Sequence, residues 1–174
     1  MSECFSRPMP LDQIHDGNRI DLVATDSERQ AIAGDLGLEA LDRLDAHAML
    51  ERNGEKVHAK GRIQAALTQS CVVTGDSIAA HIDEPFDLTF APDVADIAPD
   101  SEIELGPDDC DTVFHDGAAI DLGRAIIDTL ALSIDPFPRS AGADAALKEA
   151  GIMTQAEASP FAALAALKGR EPSD

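Results

Sequence analysis

The side chains able to do chemistry are few and scattered. Cys4, Cys71 and Cys110 are the three cysteines of a 174-residue chain. No two of them stand at the Cys-x-x-Cys spacing of a structural zinc site, and their odd number signals no disulfide framework. His47, His58, His81 and His115 could join Cys71 and Cys110 as ligands only from distant points in the chain, without the local ligand pairs that zinc sites show. No metal and no cofactor is expected. There is no Gly-x-Ser-x-Gly, no glycine-rich phosphate loop and no His-Glu-x-x-His, so no nucleophile or metal-hydrolase motif is present. Carboxylates abound, but paired-acid catalysis needs an opposed geometry that spacing alone does not supply. The expectation is a protein that is not an enzyme and acts by binding.

Charge says more. Thirteen Lys and Arg face 33 Asp and Glu, a formal net charge of −20. Such a chain repels nucleic acid and anionic membrane at long range and attracts basic partners. The charge is uneven, with no Lys or Arg from Ile63 through Gly123. Within that span Asp93, Asp96, Asp100, Glu102, Glu104, Asp108, Asp109 and Asp111 fall on predicted loops and are candidate partner contacts; the plain alternative is a solubilising surface. Trp and Tyr are absent and Phe numbers six, which argues against base-stacking platforms. Lys56, His58, Lys60 and Arg62 form one basic stripe on a strand face. Either Lys56, Lys60 and Arg62 touch RNA phosphates, or they form a cross-strand ladder with neighbouring acids. The start of the chain has neither a basic lead nor an apolar core, and no apolar run nears the roughly 18 residues of a membrane span. A reduced, cytoplasmic protein is expected.

The elements that must position these residues begin with a short strand, Arg19 to Ala24. A helix follows, with caps among Thr25, Asp26 and Ser27, an apolar face of Ala31, Ile32 and Leu36, and an end at Gly37. Phe5 and Leu11 could anchor an opening strand. Leu41 to Arg52 alternates, with Leu44, Ala46, Ala48 and Leu50 on one face and Asp45, His47, Met49 and Glu51 on the other. Asn53-Gly54 then predicts a two-residue type I′ turn. That turn sets Leu50 on Val57 and Leu44 on Ile63, with Glu51 on Lys56 and Asp45 on Arg62. Arg62 to Phe90 reads as two strands joined at Cys71-Val-Val-Thr74-Gly75-Asp76, with Ile63, Ala65, Leu67, Ile78, Ala80, Ile82, Phe86, Leu88 and Phe90 inward. Further strands are expected through Ile103 and Leu105 and through Cys110, Thr112 and Phe114. Ile120 to Ile134 is the main helix, capped by Asp121, with a stripe of Leu122, Ile126, Leu130 and Ile134 widened by Ala125, Ile127 and Leu132. Asp135-Pro136-Phe137-Pro138 stops it. Ser159-Pro160 opens a short helix over 160–168, too short to stand alone in water. Its Phe161, Leu164 and Leu167, with Lys168, must bury on this protein or on a partner.

The fold class expected is α+β: a largely antiparallel sheet packed by the long helix of the C-terminal half, with a flexible tail that ends in a short helix. Residues 1–138 form the domain and residues 139–174 the tail.

Three segments together are similar to the YceD family, the large ribosomal RNA subunit accumulation proteins. They are Cys71-Val-Val-Thr74 with Glu84-Pro85-Phe86 and Phe90; Ala119-Ile120-Asp121-Leu122 with its helix; and Ser159-Pro160-Phe161 through Leu164, Leu167 and Lys168. Many members carry Cys-x-x-Cys in the central turn and a further Cys after the long helix. Here Thr74 takes the second position and no Cys follows Cys110, so no metal role carries over. The resemblance implies a part in large ribosomal subunit biogenesis, in the accumulation or processing of its large RNA. It implies no enzyme activity. In this family the gene often lies beside that of a small basic large-subunit ribosomal protein. The expected partner is accordingly a basic large-subunit ribosomal protein or a pre-ribosomal particle, with weak or no binding to naked nucleic acid and none to membrane. Direct RNA binding through Lys56, Lys60 and Arg62 is the alternative.

Overall fold

The computed structural model describes residues 5–93 and 111–152. In chain order the elements are β1 (Pro8–Pro10), a single 3-10 turn (Leu11–Gln13), β2 (Asn18–Val23), α1 (Asp26–Leu36), β3 (Ala40–Asn53), β4 (Lys56–Ser70), β5 (Ser77–Pro92), β6 (Thr112–His115), β7 (Ala119–Asp121), α2 (Leu122–Ser133) and α3 (Ala143–Glu149). The fold is α+β, with a mostly antiparallel sheet as expected.

Five strands form the main sheet in the order β2-β3-β4-β5-β6, and β1 pairs with β7 in a separate two-stranded ribbon. β2 and β3 are antiparallel, as are β3 and β4. Arg62 on β4 reaches Asp83 on β5 while Lys60 reaches Asp87; the numbers run in opposite directions, so that pair is antiparallel too. β6 alone is parallel to its neighbour, with Thr89 opposite Thr112 and Pro92 opposite His115.

One core joins sheet and helices. Leu44 and Leu50 of β3, Val57, Ile63 and Leu67 of β4, and Phe86 and Phe90 of β5 are buried with Ile32 of α1 and Leu122, Ile126 and Leu130 of α2. Each such side chain contributes about 1.5–3 kcal/mol by leaving water. The inward faces of β3, β4 and β5 are those that alternation predicts, and β5 runs unbroken through Pro85. Gly61 lies on the inner face because nothing larger fits. A Cβ there would fall 1.9 Å from the His47 carbonyl oxygen and 2.7 Å from Phe86 Cζ. Gly123, in the first turn of α2, similarly leaves room for the Phe5 carbonyl, 1.9 Å from where its Cβ would stand.

α1 starts with a capping box: the Thr25 hydroxyl accepts from Glu28 N–H, and the Glu28 carboxylate accepts from Thr25 N–H at 2.8 Å. Arg7 closes the group with a 2.7 Å ion pair to Glu28. Asp121 caps α2 and also ties down the N-terminal segment, accepting from the Ser6 hydroxyl at 2.5 Å and from Arg7 N–H at 2.8 Å. Partial burial alone would raise the Asp121 pKa, but these donors and Arg124 N–H lower it.

Several expectations are corrected. The β3–β4 register places Leu50 on Ala59 and Leu44 on Ala65, with Asn53 opposite Lys56. The two-residue loop is therefore Gly54-Glu55. Gly54 has φ 66° and among the described residues no non-glycine residue, Asn53 included, has positive φ, which excludes a type I′ turn at Asn53-Gly54. Glu51 lies opposite His58 and Asp45 opposite Gln64, so neither anticipated acid–base pair forms. A shift of two residues preserves which face each side chain occupies, and alternation is blind to it. Leu132 is 89% exposed and widens no stripe. On β6 it is Val113 that packs toward the core while Phe114 is 61% exposed. Ile120 belongs to β7, and α2 begins at Leu122.

The described residues divide into two compact units. The first holds residues 5–69 and 79–136, and the second holds residues 70–78 and 137–152. The helix α3 in the second unit was not anticipated; its ADAALKE run is made mostly of good helix formers.

Candidate functional site

The basic stripe on β4 is largely occupied from the β5 side. Lys60 Nζ lies 2.7 Å from Asp87, and Arg62 pairs with Asp83 at 2.5 Å. Hydrogen bonding and attraction from those carboxylates raise the pKa of each cation. His58 Nδ1 lies 3.2 Å from the Thr89 hydroxyl. Lys56 makes no ion pair with any described residue. The stripe is thus a cross-strand ladder, built with β5 rather than β3.

Beyond that ladder lies the span without Lys or Arg. It supplies the second half of β4, all of β5, β6 and β7, and the first two residues of α2. β6 is the last strand of the main sheet, and among the described residues no strand pairs with its outer edge. Between that edge, β7 and α2 opens a cleft of about 510 Å³. Phe114 and Ile120 give it an apolar lining, and Asp116, Asp121 and Asp128 line it with carboxylates. Arg124 is the one Lys or Arg among the lining residues.

His115 ends β6 and is buried. Its Nδ1 accepts from Gly117 N–H at 3.0 Å, which leaves the proton on Nε2 to donate to the Glu55 carbonyl at 3.1 Å. Asp116 accepts from Ala118 and Ala119 N–H, and these bonds hold its carboxyl below the usual range. Asp93, a predicted partner contact, donates its N–H to the His115 carbonyl at the close of the β5–β6 pair. Asp96, Asp100, Glu102, Glu104, Phe161, Leu164, Leu167 and Lys168 lie outside the described residues, as do Cys4, Cys110 and the strand expected at Ile103 and Leu105.

The Cys71 connection has chemistry of its own. The buried thiol accepts from Ser140 N–H at 3.2 Å and Thr74 N–H at 3.4 Å. These donors, Ser140 first, lower its pKa from 9.0 to about 6. Thr74 Oγ1 donates to Asp76 at 2.6 Å, and Ser140 Oγ lies 3.2 Å from both groups. Ser140, distant in the chain, was not singled out from the sequence, and only its nearness to Cys71 in space gives it a role. Among the described residues no group of three His, Cys, Asp or Glu is arranged to hold a metal ion. None of their helices is long and apolar enough to cross a membrane.

No curated protein and no solved structure matches the chain. A family model does, over residues 59–168, a stretch that takes in most of β4, the Cys71 turn, β5 through α3, and the cleft's lining apart from Pro8. That model is described as large ribosomal RNA subunit accumulation protein YceD, and the chain belongs to the YceD family.

Proposed function

We propose that this protein supports the accumulation or processing of large-subunit ribosomal RNA by binding a basic large-subunit ribosomal protein, free or within a pre-ribosomal particle, without catalysing a reaction. The observation that carries this reading is the run from Ile63 to Gly123 without a single Lys or Arg. It covers one whole edge of the main sheet. Ribosomal RNA is a polyanion, and a chain of net charge −20 is repelled by it at long range, whereas a basic protein is drawn in. The cations best placed to offset that repulsion, Lys60 and Arg62, already face Asp87 and Asp83. The acids of the span, Asp93, Asp96, Asp100, Glu102 and Glu104 among them, would meet the partner's cations. Phe161, Leu164, Leu167 and Lys168 would supply a second, apolar contact.

The test is a titration of the full chain with a basic large-subunit ribosomal protein and, separately, with naked large-subunit RNA, each at low and high salt. Salt-sensitive binding to the protein and little to the RNA is expected. Tight RNA binding that weakens with Lys60→Gln and Arg62→Gln, but not with neutralisation of the acidic span, would replace this reading with direct RNA contact.

A further inference from the structure

We propose that the cleft between β6 and α2 receives an extended basic segment of a protein partner, which adds as a strand along the outer edge of Thr112–His115. The inference rests on the reading above for the class of partner and names the place where it docks. Three observations support it. First, among the described residues β6 pairs with a strand on one side only, and an open sheet edge is where an extended peptide adds as a further strand. Second, Phe114 is 61% exposed on that edge and lines the cleft. An exposed aromatic beside an open strand is the kind of anchor on which a partner's apolar side chain gains most. Third, three carboxylates line the cleft against one guanidinium, so alternate cationic side chains on an added strand would meet Asp116 and Asp128.

Charge also separates the possible occupants. The segment 94–110 of this chain carries Asp96, Asp100, Glu102, Glu104, Asp108 and Asp109 and no cation, and the cleft's own acids repel it. The C-terminal stretch 153–174 balances Lys168 and Arg170 against Glu157, Glu171 and Asp174, and so gains little there. A segment rich in Lys or Arg with interleaved apolar residues gains on both counts.

The experiment is an NMR titration of the labelled full chain with a synthetic peptide of alternating lysine and valine, and with a glutamate–valine peptide as control. Saturable binding of the lysine peptide should perturb the amides of Thr112 through His115 and of the first turns of α2. Phe114→Ala, a change at an exposed site, should weaken it by about tenfold or more. Asp128→Asn should weaken it less and flatten its salt dependence. Equal binding of both peptides, perturbations confined to other acidic surfaces, or unchanged affinity of Phe114→Ala would overturn the proposal. So would tighter binding after Phe161→Glu in the full chain, because the chain's own C-terminal stretch would then be the occupant. Co-sedimentation with large-subunit precursors separates the two readings. Peptide binding at β6 without co-sedimentation removes the proposed function and leaves the cleft. Co-sedimentation that survives Phe114→Ala, with no peptide binding, removes the cleft and leaves the function.

Discussion

Between β3 and β4 the chain reverses over Gly54 and Glu55; after β4 it takes six residues, Cys71 to Asp76, to turn into β5. The first turn is held by the backbone. Asn53 pairs with Lys56 and Gly54 supplies the positive φ, while Arg52 Nε and His115 Nε2 reach only the loop's carbonyls. The second adds side chains to its backbone bonds, which run from Cys71 N–H to the Asp76 carbonyl and from Gly75 N–H to the Cys71 carbonyl. The Cys71 sulfur takes two N–H donors, and Asp76 lies within hydrogen-bonding distance of two hydroxyls. Two of those contacts come from Ser140, which is remote in sequence. A turn closed by the backbone tolerates changes of side chain and resists changes of conformation. A turn that side chains also hold responds to chemistry, to pH and to whatever displaces Ser140.

The largest effect expected on this comparison comes from the strands of the first hairpin. Gly61→Ala drives a methyl into the His47 carbonyl and the Phe86 ring, and should cost about 3 kcal/mol or more in urea denaturation. A loss under about 1 kcal/mol would mean that β3 and β4 separate easily. Next come the two turn glycines. Gly54 (φ 66°) and Gly75 (φ 76°) have open space where a Cβ would go, so valine at either meets conformational strain alone, about 1–3 kcal/mol. Similar losses at both sites would confine the contrast between the turns to their side chains. Asp76→Ala should cost about 1 kcal/mol, since it strands the Thr74 and Ser140 hydroxyls near the surface. Hydrogen exchange should then rise at Cys71 and Gly75 and stay unchanged at Lys56. If Lys56 responds equally, the turns are not independent.

The last effect is one of pH. The Cys71 thiol titrates at about 6 in the folded chain and ordinarily at 9.0. A depressed pKa means that folding favours the thiolate. Its contribution to stability is full above pH 9.0 and is lost as pH falls through about 6. Wild-type protein should therefore gain stability over Cys71→Ser as pH rises through that window, and thiolate absorbance should titrate with a midpoint near 6. A difference that does not vary with pH would show that the sulfur is held as a neutral thiol.

The sequence was most informative where burial is periodic. Leu44 to Leu50, Val57 to Leu67 and Phe86 to Phe90 face the core because alternation leaves their strands one buried side. Register was not legible there. Moving Leu50 from Val57 to Ala59 keeps apolar on apolar, and the acid–base pairs that favoured the wrong alignment, Glu51 with Lys56 and Asp45 with Arg62, are exposed and weakly directing. The real partners of Lys60 and Arg62 lie on β5, across a longer connection whose register nothing local declares. The candidate site shows the same division. The absence of Lys and Arg from Ile63 to Gly123 is plain in the sequence. That Phe114 faces outward, that β6 is an edge, and that Ser140 meets Cys71 depend on strand order and on contacts between remote segments, which no local pattern encodes.

The two bonds of His115 have a consequence for the edge it terminates. One ring nitrogen grips Gly117 and the other grips Glu55, in the turn between β3 and β4. A short terminal strand would ordinarily fray, and a binding event would then have to order it. Here folding has already met that entropy, because the end of β6 is clamped to a hairpin tip two strands away. Thr112–His115 is a preorganised template, and a ligand that pairs with it spends its interaction energy on affinity rather than on assembling the surface it binds.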